Sequence, residues 1–451
     1  MALALGLVCA CSGGGGAAAS PSATPSASAS APADDWPMFH RDLARSGVAG
    51  AGGQLGTPRA AWQSAALDGD VYGSPLVAGG RVIVVTQHNT VYAFDERSGR
   101  AGWQVSLGAP VDASTLPCGN VRPESGALST PVADLERGLL YVAAFLAPAH
   151  HELFTLELAS GRVRDQRTVD PPSDSPAVEQ QRGALTLSHG YVYIPYGGLL
   201  GDCGSYHGWV VGAPVAGGDL ISYRVTCGRA CGLWAPGGPA VDSAGDLWVA
   251  SGNSYSETAF DYGNAVIKLS PELKELGYFA PADWAALNRA DADLGSISPV
   301  PLDASSVWSS GKAGTGYLIS ASSPGGIGGQ RFAGPLGCGT WSGSAYLAPD
   351  LYLACGGALL AVRVDVAAPG FAVRWRSQRA APGAPILAYG ALWTIETGSG
   401  TLVALDPTAG GVRWSGAIGA VMHFVTPAAA GGRVFVVGDR RLQAIDALGP
   451  G

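Results

Sequence analysis

From residue 73 onward the chain alternates short apolar runs with glycine, aspartate or proline, a pattern of strands and tight turns rather than of helical faces. One unit shows the order. Gly73-Ser74-Pro75-Leu76-Val77 opens a first strand (A), Arg81-Val82-Ile83-Val84-Val85 forms a second (B), a third (C) ends on Ala93-Phe94-Asp95, and a fourth (D) carries Trp103. The phrase closing strand C recurs. Ala404-Leu405-Asp406 is followed by Gly410 and Trp414 at the offsets that separate Asp95 from Gly99 and Trp103, and Ala444-Ile445-Asp446 comes 40 residues after its predecessor. Weaker copies are Thr155-Leu156-Glu157 with Gly161, and Arg363-Val364-Asp365 with Trp375. A period near 40 built on short strands signals stacked or radial repeats. The Asp caps the C–D turn, the Gly supplies positive φ, and the Trp packs between neighbouring units.

This template finds units near 73–108, 129–170, 183–226, 236–280, 295–333, 342–378, 384–418 and 424–447, the last with only three strands. Arg59–Leu67, which contains Ala61-Trp62, resembles the missing strand D. Pairing that segment with the last unit closes a ring and removes exposed edges. The expected fold is therefore all-β, an eight-bladed propeller of four-stranded antiparallel blades. Seven blades is the competing count, because units three to five keep the template poorly. In a propeller the B–C and D–A connections share one face. The long connections 109–128, 147–151, 198–208, 227–235, 253–264 and 280–295 all fall there, which marks it as the working face.

Composition narrows the class. Gly makes up 67 of 451 residues, which suits many tight turns, and no apolar run approaches the ~20 residues that span a bilayer as a helix. The net charge is −8 and lysine occurs only at 268, 274 and 312, so there is no basic patch for nucleic acid. Residues 2–10 are apolar or small, and Val8-Cys9-Ala10-Cys11 resembles a bacterial lipobox. Residues 1–11 then read as a lipoprotein signal with Cys11 as the lipidation site, 12–33 as a disordered Ser/Pro/Ala/Gly tether, and 34–451 as the propeller. An ordinary cleaved signal peptide is the alternative, and export to the cell surface or periplasm is expected from both. Beyond the leader stand Cys118, Cys203, Cys227, Cys231, Cys338 and Cys355. An even count in an exported chain suggests disulfides; the preferred pairing is Cys227–Cys231, Cys338–Cys355 and, by elimination, Cys118–Cys203. Zinc competes, but no pair has C-x2-C spacing.

Asp35-Trp36-Pro37-Met38-Phe39-His40-Arg41-Asp42 resembles the opening segment of pyrroloquinoline-quinone (PQQ) propellers, and the Ala-x-Asp…Gly…Trp units are similar to that family's repeats. The family has two branches, quinoprotein alcohol dehydrogenases and the non-catalytic assembly lipoprotein of the outer-membrane Bam complex. Leu247-Trp248-Val249-Ala250-Ser251-Gly252-Asn253 is similar to the dehydrogenase stretch whose Asn ligates calcium. The resemblance implies Asn253 and Asp293 as ligands of calcium or a lanthanide, with Asp202 as the nearest candidate for a further ligand. It implies Trp234 as the surface on which the quinone stacks and Asp291, in Asp291-Ala292-Asp293, as the base. Lys312 would contact the quinone.

The chemistry needs such groups. A hard cation takes oxygen ligands and polarises a quinone carbonyl, and a carboxylate removes the alcohol proton as hydride passes to the cofactor. Set beside this, Asn253, Asp291 and Asp293 also read as ordinary turn residues, Lys312 as a solvated lysine, His88, His207 and His423 as surface or core polar groups, and His150-His151 as loop surface. The adjacent Cys-Cys of many quinoprotein dehydrogenases is absent, their calcium-site Glu has no clear counterpart, and no Cys-x-x-Cys-His exists for covalent haem. Two functions follow: a lipid-anchored quinoprotein oxidising a small-molecule alcohol or sugar, or a scaffold presenting its B–C/D–A face to a protein, peptide or polymer partner.

Overall fold

Eight antiparallel sheets follow one another along the chain, each ordered A-B-C-D from the inside out. The structure, a computed structural model, describes residues 34–50, 52–173 and 175–448. The expected lipidation site at Cys11 and the 12–33 tether lie outside these residues. Blade 1 comprises Leu76–Ala78, Arg81–Val85, Thr90–Asp95 and Ala101–Ser106. Its inner strands are buried while the outermost alternates toward solvent, as a rim strand with one free face should. Blade 8 is composite: Ala428–Ala430, Arg433–Gly438 and Arg441–Asp446 are completed by Arg59–Gln63, which pairs antiparallel with the last strand. Eight blades and closure by the early strand are both as the repeats predict. Blades 3 and 4 carry additions the template lacks. Glu179–Gln180 pairs with Gly197 and Gly198, and Gly326–Ile327 runs parallel to Phe279–Ala280.

The repeat phrase has a physical cause. Asp95 Oδ1 accepts the Ser98 amide at 2.8 Å, and Asp406 Oδ1 accepts those of Thr408 and Ala409 at 2.7 and 3.0 Å. Gly99, Gly161 and Gly410 all sit in the left-handed region, at φ +69°, +73° and +72°. Each is also the seat of a tryptophan from the preceding blade, because a Cβ there would fall 2.4–2.6 Å from the ring of Trp62, Trp103 or Trp375. Those indoles donate to the Glu96, Leu158 and Pro407 carbonyls of the same turns at 3.1, 3.2 and 3.1 Å. Asp446 departs from the expected capping role. The strand beside it is the early segment Arg59–Gln63, and its carboxylate instead pairs with Arg433 at 2.7 Å and Arg59 at 3.6 Å across the closure.

The opening segment crosses the axis. Trp36 exchanges backbone bonds with Val77 of blade 1, and the carbonyls of Pro37, Leu43, Ser46 and Gly47 accept from Ala133, Val241, Tyr346 and Leu387 of blades 2, 4, 6 and 7. Arg45, 2% exposed, donates to the Leu185 and Pro239 carbonyls at 3.2 and 3.1 Å. This plug fills the axial channel with Trp36, Phe39 and His40, all buried.

The three disulfides join the expected pairs, Cys118–Cys203, Cys227–Cys231 and Cys338–Cys355. One expected long connection is not long. Residues 147–149 are a tight turn between Leu139–Leu146 and His150–Glu157, so His150 and His151 lie in a strand rather than a loop. His151 is 1% exposed, stacks on Phe145 with centroids 4.4 Å apart, and contacts Asp170 Oδ1 at 2.9 Å. Alternation along a long hairpin turned it inward.

Candidate functional site

On the mouth side of the plug, the B–C and D–A connections of blades 3 to 5 enclose an open pocket of about 830 Å³ of empty space. Asp202, Trp234, Asn253, Asp291, Asp293 and Lys312 all line it. The two carboxylates and the lysine arrive from neighbouring loops. The short helix Trp284–Arg289 turns the chain so that Asp291, at φ +51°, and Asp293 follow it into the axis. The blade 5 turn bearing Lys312 docks on them, with the Lys312 amide donating to the Asp293 carbonyl at 3.0 Å.

Asp293 is 3% exposed and both its oxygens are engaged. Oδ1 accepts the Asn253 amide at 2.7 Å, and Oδ2 is in close contact with the Lys312 ammonium. Lys312 also reaches Asp291 Oδ2 at 3.3 Å, and the Asp291 side chain is 70% exposed at the mouth. Burial pushes the Asp293 carboxyl above its ordinary value, against the pull of Lys312 and of the Asn253 amide. For Lys312, burial pulls downward, but the charge and hydrogen bond of Asp293, helped by Asp291, leave it raised. It is a firmly held cation. Asp202 is placed elsewhere in the wall, where its Oδ1 accepts the Tyr206 hydroxyl at 2.6 Å.

Trp234 lies beside three glycines. A Cβ on Gly252 would fall 2.9 Å from both the Trp234 Nε1 and Asp293 Oδ1, and Gly197 and Gly232 stand equally close, 3.1 Å from the Trp234 side chain. Any side chain there would invade the space beside the indole. Arg182 was not legible in the sequence. Its guanidinium is sandwiched 4.8 Å from the Trp234 centroid and 5.0 Å from that of Phe424, and Nε donates to the Trp234 carbonyl at 3.3 Å. Burial lowers its pKa to about 10, so it stays charged at neutral pH. Lys312 Nζ sits 5.8 Å from the Trp234 and Trp341 rings. Trp341 and Tyr206 also line the pocket without having been singled out. Only the position of Arg182 in a D–A connection could have pointed to it. His423 shares the floor, held neutral by burial and by the charge of Arg182. His207 and His88 remain outside the pocket, and His88 Nδ1 contacts Glu124 Oε1 at 2.6 Å.

These residues suit a flat, carboxylate-bearing organic group such as PQQ, since they offer an indole face, a glycine-lined gap and two fixed positive charges. They do not suit a metal ion as they stand. Lys312 takes the position against Asp293, Asp202 is bonded to Tyr206, and no three His, Cys, Asp or Glu side chains converge as a ligand shell among the described residues. A divalent ion 4 Å from the ammonium would meet roughly 8 kcal/mol of repulsion at an effective dielectric of ~20.

Comparison with known proteins gives a family and a fold. The model of the family described as outer membrane protein assembly factor BamB matches residues 55–197 and 362–449. The unmatched interval, 198–361, supplies all six predicted site residues and Trp341. No curated protein sequence matches. Among solved structures, the quinohemoprotein alcohol dehydrogenase of Comamonas testosteroni is 14% identical with TM-score 0.70, over 93% of this chain and 81% of that one. A europium-containing methanol dehydrogenase is 14% identical with TM-score 0.69, over 92% and 98%. BamB from Moraxella catarrhalis is 10% identical with TM-score 0.60, over 88% and 99%. At these identities the likeness is one of fold.

Proposed function

The chain belongs to the PQQ-like propeller family whose model bears the description BamB, and from that premise we propose that it is an exported quinoprotein that oxidises an alcohol or sugar in its axial pocket. The observation that carries this reading is the convergence of Asp202, Trp234, Asn253, Asp291, Asp293 and Lys312, spread over 110 positions of sequence, on one pocket. A scaffold has no need to gather them. PQQ, when bound, supplies a two-electron acceptor.

The chain's own residues do the rest. Trp234 would offer the stacking face, and Arg182 and Lys312 would supply positive charge to the anionic groups of the cofactor. Asp291, exposed at the mouth, is within reach of a substrate hydroxyl and takes its proton at a carboxylate oxygen. Lys312 orients that carboxylate. Asn253 and Asp293, expected as metal ligands, instead fix Lys312 through the Asn253 amide and the Asp293 carboxylate. Lipidation at Cys11, with residues 12–33 as the tether, would hold the propeller at a membrane.

The test is a titration of the purified chain with PQQ followed by tryptophan fluorescence. Saturable quenching is expected, weakened at least ~10-fold by Arg182→Ala or Trp234→Ala. A dye-linked assay across alcohols and aldoses then reads turnover. Absence of any saturable change, with calcium, with a lanthanide or with neither, sinks the proposal.

A second reading has its own observation. Leu200, Tyr255 and Trp341 are 58%, 60% and 39% exposed on the pocket face, an apolar rim that suits a non-catalytic scaffold for a protein, peptide or polymer. A failed PQQ titration would leave this reading standing.

A further inference from the structure

We propose that Lys312 is the resident cation of the pocket, an ammonium on a side chain standing where a calcium or lanthanide ion would otherwise neutralise Asp293. The inference takes the pocket as the ligand site argued above, but it concerns the protein alone.

Three features carry it. The first is position: the ammonium contacts Asp293 Oδ2 and lies 3.3 Å from Asp291 Oδ2, bridging the two carboxylates from which a cation site would be built. The second is burial: Asp293 is 3% exposed, and a buried carboxylate left unpaired is costly, so its partner cannot be an optional surface lysine. Third, the bridge is anchored at both ends by backbone. Asp293 Oδ1 is held by the Asn253 amide at 2.7 Å, and the Lys312 amide donates to the Asp293 carbonyl at 3.0 Å. A Cβ on Gly311 would fall 2.4 Å from that carbonyl, so the turn that delivers the lysine approaches as closely as glycine allows.

An ion entering this site must displace the ammonium, because the two at ~4 Å would repel strongly at an effective dielectric of ~20. The organic ligand then meets its positive charge directly, from Lys312 and from Arg182, both held near the Trp234 ring. The pocket works without metal, and a chelator leaves it intact.

The experiment titrates the EDTA-treated full chain with Tb3+, exciting tryptophan and reading sensitised terbium emission. Trp234 and Trp341 line the pocket and serve as antennae. Wild type is expected to show no saturable emission that Asp293→Asn removes. Lys312→Met and Lys312→Gln, checked for native circular dichroism so that one folded variant suffices, are expected to gain such a site. It should bind ~100-fold tighter than anything in wild type, as when a like charge leaves a buried anionic site, and Asp293→Asn should abolish it in the same background. Wild type that takes terbium as tightly as Lys312→Met, with Asp293→Asn abolishing both, overturns the inference.

A second arm measures PQQ binding in EDTA and in calcium. Equal affinity supports the inference, whereas a strict calcium requirement overturns it and leaves PQQ binding itself in place. If PQQ fails in every condition while the terbium results hold, the cofactor reading falls and Lys312 remains the resident cation.

Discussion

The indole of Trp62 occupies the space that a side chain on Gly99 would need, with a Cβ there falling 2.4 Å from the ring. One residue belongs to the strand that completes blade 8 and the other to the C–D turn of blade 1. The ring is therefore sealed by the contact that joins ordinary neighbours. Gly99→Ala should lower stability by ~2–3 kcal/mol, combining left-handed strain with a displaced indole. Gly80→Ala is the control, since Gly80 also has positive φ, +73°, but nothing within 4 Å of its Cβ position. Denaturant unfolding of the two variants separates the terms; equal losses would mean that Trp62 contributes nothing at the seam.

Gly252 keeps the space between Trp234 and Asp293 open. In Gly252→Ala the methyl would fall 2.9 Å from both Trp234 Nε1 and Asp293 Oδ1, displacing one of them. The expected result is at least a ~10-fold loss of PQQ affinity together with a stability loss of ~1–3 kcal/mol from overpacking. Calorimetry on the folded variant decides it.

Asp291→Asn keeps the size of the side chain and removes its basicity. Turnover should fall ~100-fold or more while PQQ binding is retained. Unchanged turnover would move the base elsewhere in the pocket.

Glu179 links stability to pH. It is 1% exposed, its oxygens lie 3.4 Å from the His207 amide, and burial pushes its carboxyl from 4.5 to about 7. The folded state holds this proton more tightly than the unfolded chain does. The associated stability is thus complete below pH 4.5 and is lost as pH rises through about 7. Relative to wild type, Glu179→Gln should gain about 3 kcal/mol between the ends of that window. Paired urea titrations at each pH measure the gap, and a constant gap counts against the assignment.

Cys118–Cys203 ties two loops of the working face across 85 positions of sequence. Replacing both cysteines by alanine should lower stability by about 3–4 kcal/mol, since a long closed loop constrains the unfolded chain. The loss should appear in denaturant midpoints of the oxidised protein and vanish when wild type is fully reduced.

Much of this was legible in the sequence because two demands fall on single residues. Gly99 and Gly410 must have positive φ and must also leave room for a neighbour's tryptophan, so the phrase survives wherever blades meet regularly. The resemblance to quinoproteins located Trp234, Asn253, Asp291, Asp293 and Lys312, and they do share a pocket. Arg182 escaped notice because its partner Phe424 lies 242 positions away and no local spacing marks a side chain that turns across an axis. The grip of Lys312 on Asp293 was hidden for the same reason, since turn chemistry alone describes either residue as solvated. His151 was misread because a tight hairpin, not a loop, sets which face it joins.

The plug from Trp36 to Ala49 gives the axial well a floor. Traffic through the pocket therefore has one door. On that proposal, a substrate would have to back out before an agent that enters the pocket to reset the site could take its place. The enzyme proposed here would be obliged to alternate its visitors, so that a crowd of either kind blocks the other. Mutual inhibition at high concentration would be built into its architecture rather than into any single contact.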